Sequence, residues 1–290
     1  MRRSETSRAS RTSRSARGFT LIESIIVIVV VGILFSVIAV FIVPPVQAYL
    51  ATQARVALTD QADLALRRIG RDLRLALPNS TRVMSTATTS TLELIPTAGA
   101  ARYATEGANR LVFGTTATAF ALVGPPLTVA AGQQLVFYNL GSGVVGSDAY
   151  AANGSAAEQA LSNRRTSTTP AGDANALTMN SAAGLPVGGF APPYRVFAVD
   201  TPVTYRCDTT TGRLTRHSNY GFVAAQPDPP TAGTAAVLAT GVQACRFSAD
   251  GTVVASRAAL VNLALTLATA TPSGVETVAL QHAVHVNNLP

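Results

Sequence analysis

An almost unbroken apolar run from Phe19 to Val43 constrains this chain more than any other feature. As a helix the run would extend roughly 37 Å, enough to cross the hydrocarbon core of a bilayer. Six arginines and the single acid Glu5 precede it, and a positive flank of this kind keeps the N-terminal end in the cytoplasm. The sequence therefore predicts a transmembrane helix over residues 19–43, with everything after it in the periplasm or outside the cell.

A secretory signal peptide is the alternative interpretation of the same run. Val46-Gln47-Ala48 resembles a small-residue cleavage site, which would leave a mature chain that starts at Tyr49. Against this, the apolar run is longer than the usual signal-peptide core, and Pro44-Pro45 lies close to the cut. A retained membrane helix is the better interpretation.

The positive charge of the chain is concentrated before the apolar run. The net charge is +7, and residues 1–18 account for +5 of it. The chain has no Trp and few other aromatic residues, so no nucleic-acid partner is expected. The chain contains no lysine, which excludes enzyme classes that depend on one, such as P-loop and Schiff-base enzymes.

Glu23 is the one charged residue within the apolar run. A carboxylate at membrane depth is costly unless a partner stabilises it, so Glu23 is a candidate functional residue. The alternative is a glutamate close enough to the interface to reach water. The neighbouring residues decide between the two: Arg17-Gly18-Phe19-Thr20-Leu21-Ile22-Glu23 resembles the N-terminal signal of type IV prepilins and of type II secretion pseudopilins.

That resemblance, which covers about the first 45 residues, implies a processing pathway and a set of partners. A prepilin peptidase would remove the leader, residues 1–18, by cutting between Gly18 and Phe19, and would methylate the new N-terminus at Phe19. Glu23 would become the fifth residue of the mature chain and would pair with the positive N-terminus of a neighbouring subunit, where the low dielectric strengthens the attraction. The implied partners are the inner membrane, other major and minor pilins, and the assembly platform proteins.

An amphipathic helix is predicted to follow the membrane helix. Pro44-Pro45 should kink or briefly break the helix, and apolar residues then recur at three- and four-residue spacing between Leu58 and Leu73. We expect a helix over Val46 to Leu77 that ends at Pro78, within a spine segment of residues 44–78.

Residues 79–290 are predicted to form a periplasmic, β-rich head, which gives an α+β fold in which the long helix packs on an antiparallel sheet. Residues 141–190 form a loop-rich insertion, expected to be a long mobile loop with a short helix around Ala156 to Leu161. Asp250-Gly251 predicts a hairpin turn. The predicted strands are Thr91–Ile95, Leu111–Phe113, Leu135–Leu140, Tyr194–Val199, Val203–Cys207, Val261–Leu267 and Val278–Val286.

Few residues of the head suggest ligand chemistry. Cys207 and Cys245 are the only cysteines, and in an oxidising compartment a disulfide is favoured over free thiols or a metal site. The resemblance to pilins agrees with this prediction, because pilin heads often contain a C-terminal disulfide.

Gly141 to Gly146 matches GxGxxG, but a glycine-rich loop is a better interpretation than a dinucleotide site. His282 should lie on the core face of the last strand and His285 on the other. No cofactor and no metal is predicted.

The last eleven residues, from Leu280 to Pro290, are similar to the ending of the O-type minor pilin of the mannose-sensitive haemagglutinin (MSHA) pilus system. The expected function is therefore that of a minor pilin, a non-enzymatic subunit that acts in initiation, in assembly or at the tip of a type IV pilus. The size of the chain and the segment from Arg71 to Arg74 are similar both to this group and to the larger J-type pseudopilins. One alternative is therefore a minor pseudopilin of type II secretion. The other is a membrane-anchored periplasmic enzyme or binding module.

Overall fold

The computed structural model describes residues 18–250 and 258–290. The basic leader up to Arg17 lies outside the described residues. The predicted turn at Asp250-Gly251 also lies outside them, except for Asp250.

Two helices follow each other at the N-terminus with one residue between them. Helix α1 spans Leu21–Phe41 and helix α2 spans Val43–Arg74. Pro44 and Pro45 lie in the first turn of α2, where the absence of their backbone N–H groups removes no helical hydrogen bond. The helix is interrupted at one residue, Ile42, just before the two prolines. Helix α2 therefore begins at Val43, three residues before the predicted start at Val46, because prolines are accommodated in the first turn of a helix.

Helix α2 ends three residues before the predicted end at Leu77. The reason is competition for backbone hydrogen bonds. Ala76 forms a β-bridge with Pro96, and the Leu77 N–H donates to the Ile95 carbonyl at 2.7 Å. The chain therefore leaves the helix early because its next residues pair with a strand segment of the head.

The head contains sixteen strands among the described residues, and every strand pair is antiparallel. The predicted α+β class, a long helix with antiparallel sheets, is confirmed. A short helix α3 spans Ala156–Ala160, and a 3-10 turn spans Val187–Gly189. The strands are β1 Arg82–Ser85, β2 Thr89–Leu94, β3 Thr97–Tyr103, β4 Ala119–Val123, β5 Leu127–Val129, β6 Gln134–Phe137, β7 Arg164–Thr166, β8 Gly172–Ala174, β9 Ala176–Thr178, β10 Arg195–Val199, β11 Val203–Asp208, β12 Arg213–Ser218, β13 Thr234–Thr240, β14 Val242–Asp250, β15 Ala258–Thr271 and β16 Gly274–Asn287.

Helix α2 forms the centre of the first core. It packs against a five-stranded sheet, in the order β1-β2-β11-β12-β13, and a three-stranded sheet, β14-β15-β16. Because its apolar residues recur every three or four positions, one face of α2 is buried while its other face carries charges. The buried face consists of Leu58, Ala62, Ala65, Leu66, Ile69, Gly70 and Leu73.

A second core lies in the segment between β2 and β11. Strands β3 to β10 build a six-stranded sheet in the order β7-β6-β10-β3-β4-β9 and a two-stranded sheet of β5 and β8. Tyr103, Phe120 and Phe137 pack together in this core, with ring centroids 5.7 to 6.4 Å apart.

The predicted strand over Leu111–Phe113 is wrong. Leu111 and Phe113 pack into this core, but from a turn region without strand pairing. The other predicted strands correspond to β2, β6, β10, β11, β15 and β16.

The segment 141–190 is more structured than the predicted long loop. It contains the predicted short helix, as α3, and strands β7 to β9. The Arg165 side chain is fully buried, and its guanidinium donates to the carbonyls of Ser162, Gln159 and Ala183 at 2.8 to 3.0 Å. Burial lowers the pKa of Arg165 to about 10. This arginine therefore ties separate turns of the segment together.

Candidate processing and assembly site

The predicted cleavage site lies in an open stretch of chain just before α1. Gly18, Phe19 and Thr20 precede the helix and are exposed, with Phe19 at 75% exposure. A Cβ atom placed on Gly18 would have no atom of residues 18–250 or 258–290 within 4 Å. A peptidase must bind its substrate in an extended form, so a peptide bond two residues before a helix and without tertiary contacts is suitable for cleavage. The cut itself remains a prediction.

Glu23 lies in the first turn of α1, and Thr20 caps that turn. Thr20 has an extended backbone, and its Oγ1 accepts a hydrogen bond from the Glu23 N–H at 3.3 Å. A carboxylate at this position is also favoured by the positive end of the helix dipole. Sequence reasoning assigned Glu23 a role but missed Thr20, although Thr20-Leu21-Ile22-Glu23 has the spacing of a capping box. The geometry therefore places Glu23 in the first turn of the helix, where the residue is exposed.

Helix α1 makes no contribution to the core of the head. None of its 21 residues is buried. By length and composition, the helical segment that begins at Leu21 could cross a membrane. Exposed Ile, Val, Leu and Phe side chains along a whole helix are costly in water, and a bilayer or other apolar helices would cover them. The structure thus fits a membrane-anchored protein.

Helix α2 is fixed to the head by polar contacts as well as by its buried face. The Tyr205 hydroxyl donates to Asp72 Oδ2 at 2.5 Å, and Arg216 donates to the same oxygen at 3.2 Å. Burial and then the hydrogen bond to Asp72 raise the pKa of Tyr205, so the phenol stays protonated at neutral pH. Near the membrane end, Arg55 forms an ion pair with Glu276 of β16 at 2.7 Å. Helix and head therefore form one unit.

Cys207 and Cys245 form a disulfide, as predicted. Cys207 lies in β11 of the five-stranded sheet and Cys245 in β14 of the three-stranded sheet, with Cα atoms 6.4 Å apart. The bond joins the two sheets that enclose α2. The disulfide therefore belongs to the head. Gly18, Phe19 and Glu23 lie elsewhere, just before α1 or in its first turn, and no residue of α1 is buried.

The remaining candidate residues do not assemble into a ligand site. Gly141 to Gly146 lies in turns, and the next helix begins only at Ala156, so the GxGxxG match lacks its strand–helix context. His285 is exposed, as predicted. His282 is only partly buried, and its Nε2 lies against Gly70 of α2. Among the described residues, no group of three or more His, Cys, Asp or Glu side chains is placed to hold a metal ion.

Comparison with known proteins bears on the N-terminal segment. A family model described as the prokaryotic N-terminal methylation motif matches residues 13–39. No curated protein and no solved structure matches the chain. The matched residues include the predicted cleavage site, Glu23 and most of α1. The chain therefore carries a prepilin-type methylation motif, which supports a type IV pilin-like protein processed by a prepilin peptidase and assembled with pilin partners.

Proposed function

We propose that this protein is a minor type IV pilin, a structural subunit that acts in the initiation or at the tip of a pilus of the MSHA-like type, with its head in the periplasm. The main observation behind the proposal is the methylation motif at the start of an apolar helix, none of whose residues is buried by the part of the chain that the structure describes. The continuation of that helix, α2, is the centre of the head's core. Such a subunit can pack its α1 among other α1 helices while presenting a rigid head outside the bundle.

Glu23 would set the position of one subunit against the next. Since α1 offers apolar side chains at every level, apolar packing alone would not distinguish one axial register from another. A single carboxylate at the helix start, paired with the methylated amine of a neighbouring Phe19, would favour one register. In a low-dielectric bundle this pairing is stronger than it would be in water.

A structural rather than enzymatic role agrees with how the head uses its carboxylates. Glu93 is fully buried and bonded by Arg82 at 2.5 Å and by the Tyr220 hydroxyl at 2.6 Å. Asp228 binds Arg206 at 2.5 Å. Carboxylates held in this way stabilise the fold and are not positioned as free acids or bases.

The test is substitution of Glu23 by Val in the native host. Because the carboxylate is costly in the membrane, membrane insertion should be unchanged or improved, and cleavage after Gly18 should persist. Cross-linking to other pilins and the number of pili per cell should fall. Ser36→Val is the matched control, since it removes a polar group from the same helix at a residue that only bonds the Ile33 carbonyl.

Normal cross-linking and normal piliation in the Glu23→Val strain would contradict the proposal and would favour a membrane-anchored binding module or enzyme. Loss of protein secretion with normal piliation would instead identify a type II secretion pseudopilin.

A further inference from the structure

The last strand, β16, is the long open edge of the three-stranded sheet. It spans 14 residues and pairs with β15 on one side only. No other strand pairs with it among residues 18–250 and 258–290. An edge of this length presents a row of backbone donors and acceptors that another extended segment can bind.

The strand register identifies which residues face outward. Only Pro272 and Ser273 separate the paired residues Thr271 and Gly274, so this first pair is a hydrogen-bonded one, and the register then continues unbroken to Ala258 and Asn287. Even-numbered residues of β16 therefore bond to β15. The odd-numbered residues, among them Ala279 and Gln281, direct their N–H and C=O groups to the free edge.

Features that commonly protect an edge are missing from β16. The strand contains no Pro, Lys or Arg, although these are the residues by which exposed edges usually avoid association. Its one carboxylate, Glu276, is held by Arg55 of α2. An unprotected edge of this kind is a surface suited to pairing.

A groove runs between this edge and α2. Its volume is about 490 Å³, and its lining consists of Leu280, Gln281 and His282 of β16 and of Asp63, Leu66, Arg67, Gly70 and Arg74 of α2. Arg67 is paired with Asp63 at 2.6 Å. Arg74, in the exposed last turn of the helix, adds positive charge at one end of the groove. A strand lying along β16 would thus have its inward side chains against a helix wall in which Asp63 and Arg67 offset each other and Arg74 supplies the excess positive charge.

The direction of α2 relative to β16 argues against one arrangement of a second copy of this chain, the antiparallel pair of two β16 strands. Arg55 contacts Glu276, Gly70 lies against His282 and Val284, and Asn79 bonds Asn288, so helix and strand run in the same direction. Two β16 strands paired antiparallel about a two-fold axis would direct their α1 helices in opposite directions. Two copies anchored in one membrane could not pair in this way.

We propose that the groove between β16 and α2 binds, by β-strand addition, an extended segment of a different polypeptide anchored in the same membrane, with an acidic side chain facing Arg74. Backbone hydrogen bonds to the odd-numbered residues give the affinity, and Arg74 gives the charge preference. The choice of a membrane-anchored partner rests on the proposed function, whereas the strand addition rests only on the edge and the groove.

A photo-cross-linking experiment on the full-length protein in membranes of its native host tests this. A benzophenone amino acid at Gln281 should give one adduct with a different protein, and the same probe at Thr210, in the exposed turn after β11, should not. Ala279→Pro removes an outward N–H and leaves the bonds to β15 intact, so it should reduce the adduct by about fivefold or more, the effect of one net hydrogen bond. Ala279→Thr keeps the N–H and should preserve the adduct.

A second pair of variants tests the same proposal without placing a proline in β16. Arg74→Glu should weaken the adduct, and Arg71→Glu should not, because both arginines are exposed in the last turn of α2 but only Arg74 lines the groove. Absence of an adduct at Gln281, an adduct between two copies of this chain, or an adduct that both Ala279→Pro and Arg74→Glu leave intact would overturn the proposal. An adduct with a protein that is not a filament subunit would support the strand addition and contradict the pilin function.

Discussion

Loss of the disulfide should destabilise the head by an amount that follows from the length of chain it closes. Cys207 and Cys245 are 38 residues apart, and the entropy removed from the unfolded chain by a loop of this length corresponds to about 3 to 4 kcal/mol. For a chain of this size, that loss should lower the melting temperature by about 6 to 16 °C. Cys245→Ala is the cleaner variant because Cys245 is only partly buried, whereas Cys207 is fully buried in the core around α2.

The assay is thermal unfolding of the full-length protein in detergent, followed by circular dichroism with and without dithiothreitol. Wild type with the reductant should melt close to the temperature of Cys245→Ala, and the reductant should have no effect on that variant. Cys207→Ala should melt lower still, since it also leaves a small cavity. A reductant effect of equal size on wild type and variant, or none on either, would refute the reasoning.

Three further outcomes are expected. Gly18→Arg should leave the precursor uncleaved, detected as an unshifted band on gels, because the peptidase requires a small residue before the cut; a processed protein would contradict this. Ile69→Ala should lower the free energy of unfolding by about 2 to 5 kcal/mol, since Ile69 is fully buried, while the exposed Leu64→Ala should change it little in the same denaturant titration. The hydrogen bond from Arg206 lowers the pKa of Asp208, so its contribution to stability is present above the usual aspartate pKa and is lost as pH falls through the lowered value. Asp208→Asn should therefore weaken the loss of stability below about pH 4, and an unchanged acid profile would refute that role.

Local patterns predicted the helical part of this protein well. The apolar run predicts α1, the three- and four-residue spacing from Leu58 to Leu73 predicts the buried face of α2, and Pro44-Pro45 predicts the break between them. Each of these features depends on residues close together in sequence. The ends of α2 are the exceptions: it begins at Val43 because its first turn accommodates the two prolines, and pairing of Leu77 with Ile95 ends it early.

The organisation of the head could not be read in the same way because it depends on distant pairs. Strand β2 pairs with β11 across more than a hundred residues, and the segment between them builds a separate core. A buried Arg165 that bonds carbonyls of several turns has no local signal, because arginine in a polar segment usually indicates an exposed residue. The Thr20 cap did have a signal, in the spacing of Thr20 and Glu23.

The mass of the mature N-terminus tests the central claim most directly. Mass spectrometry of the protein purified from membranes of its native host should identify a chain that begins at Phe19 and carries one methyl group on its amine. The same measurement on Gly18→Arg should return the intact leader. A wild-type chain that begins at Tyr49 would show cleavage by an ordinary signal peptidase, and it would contradict the pilin-like account together with the membrane role assigned to α1.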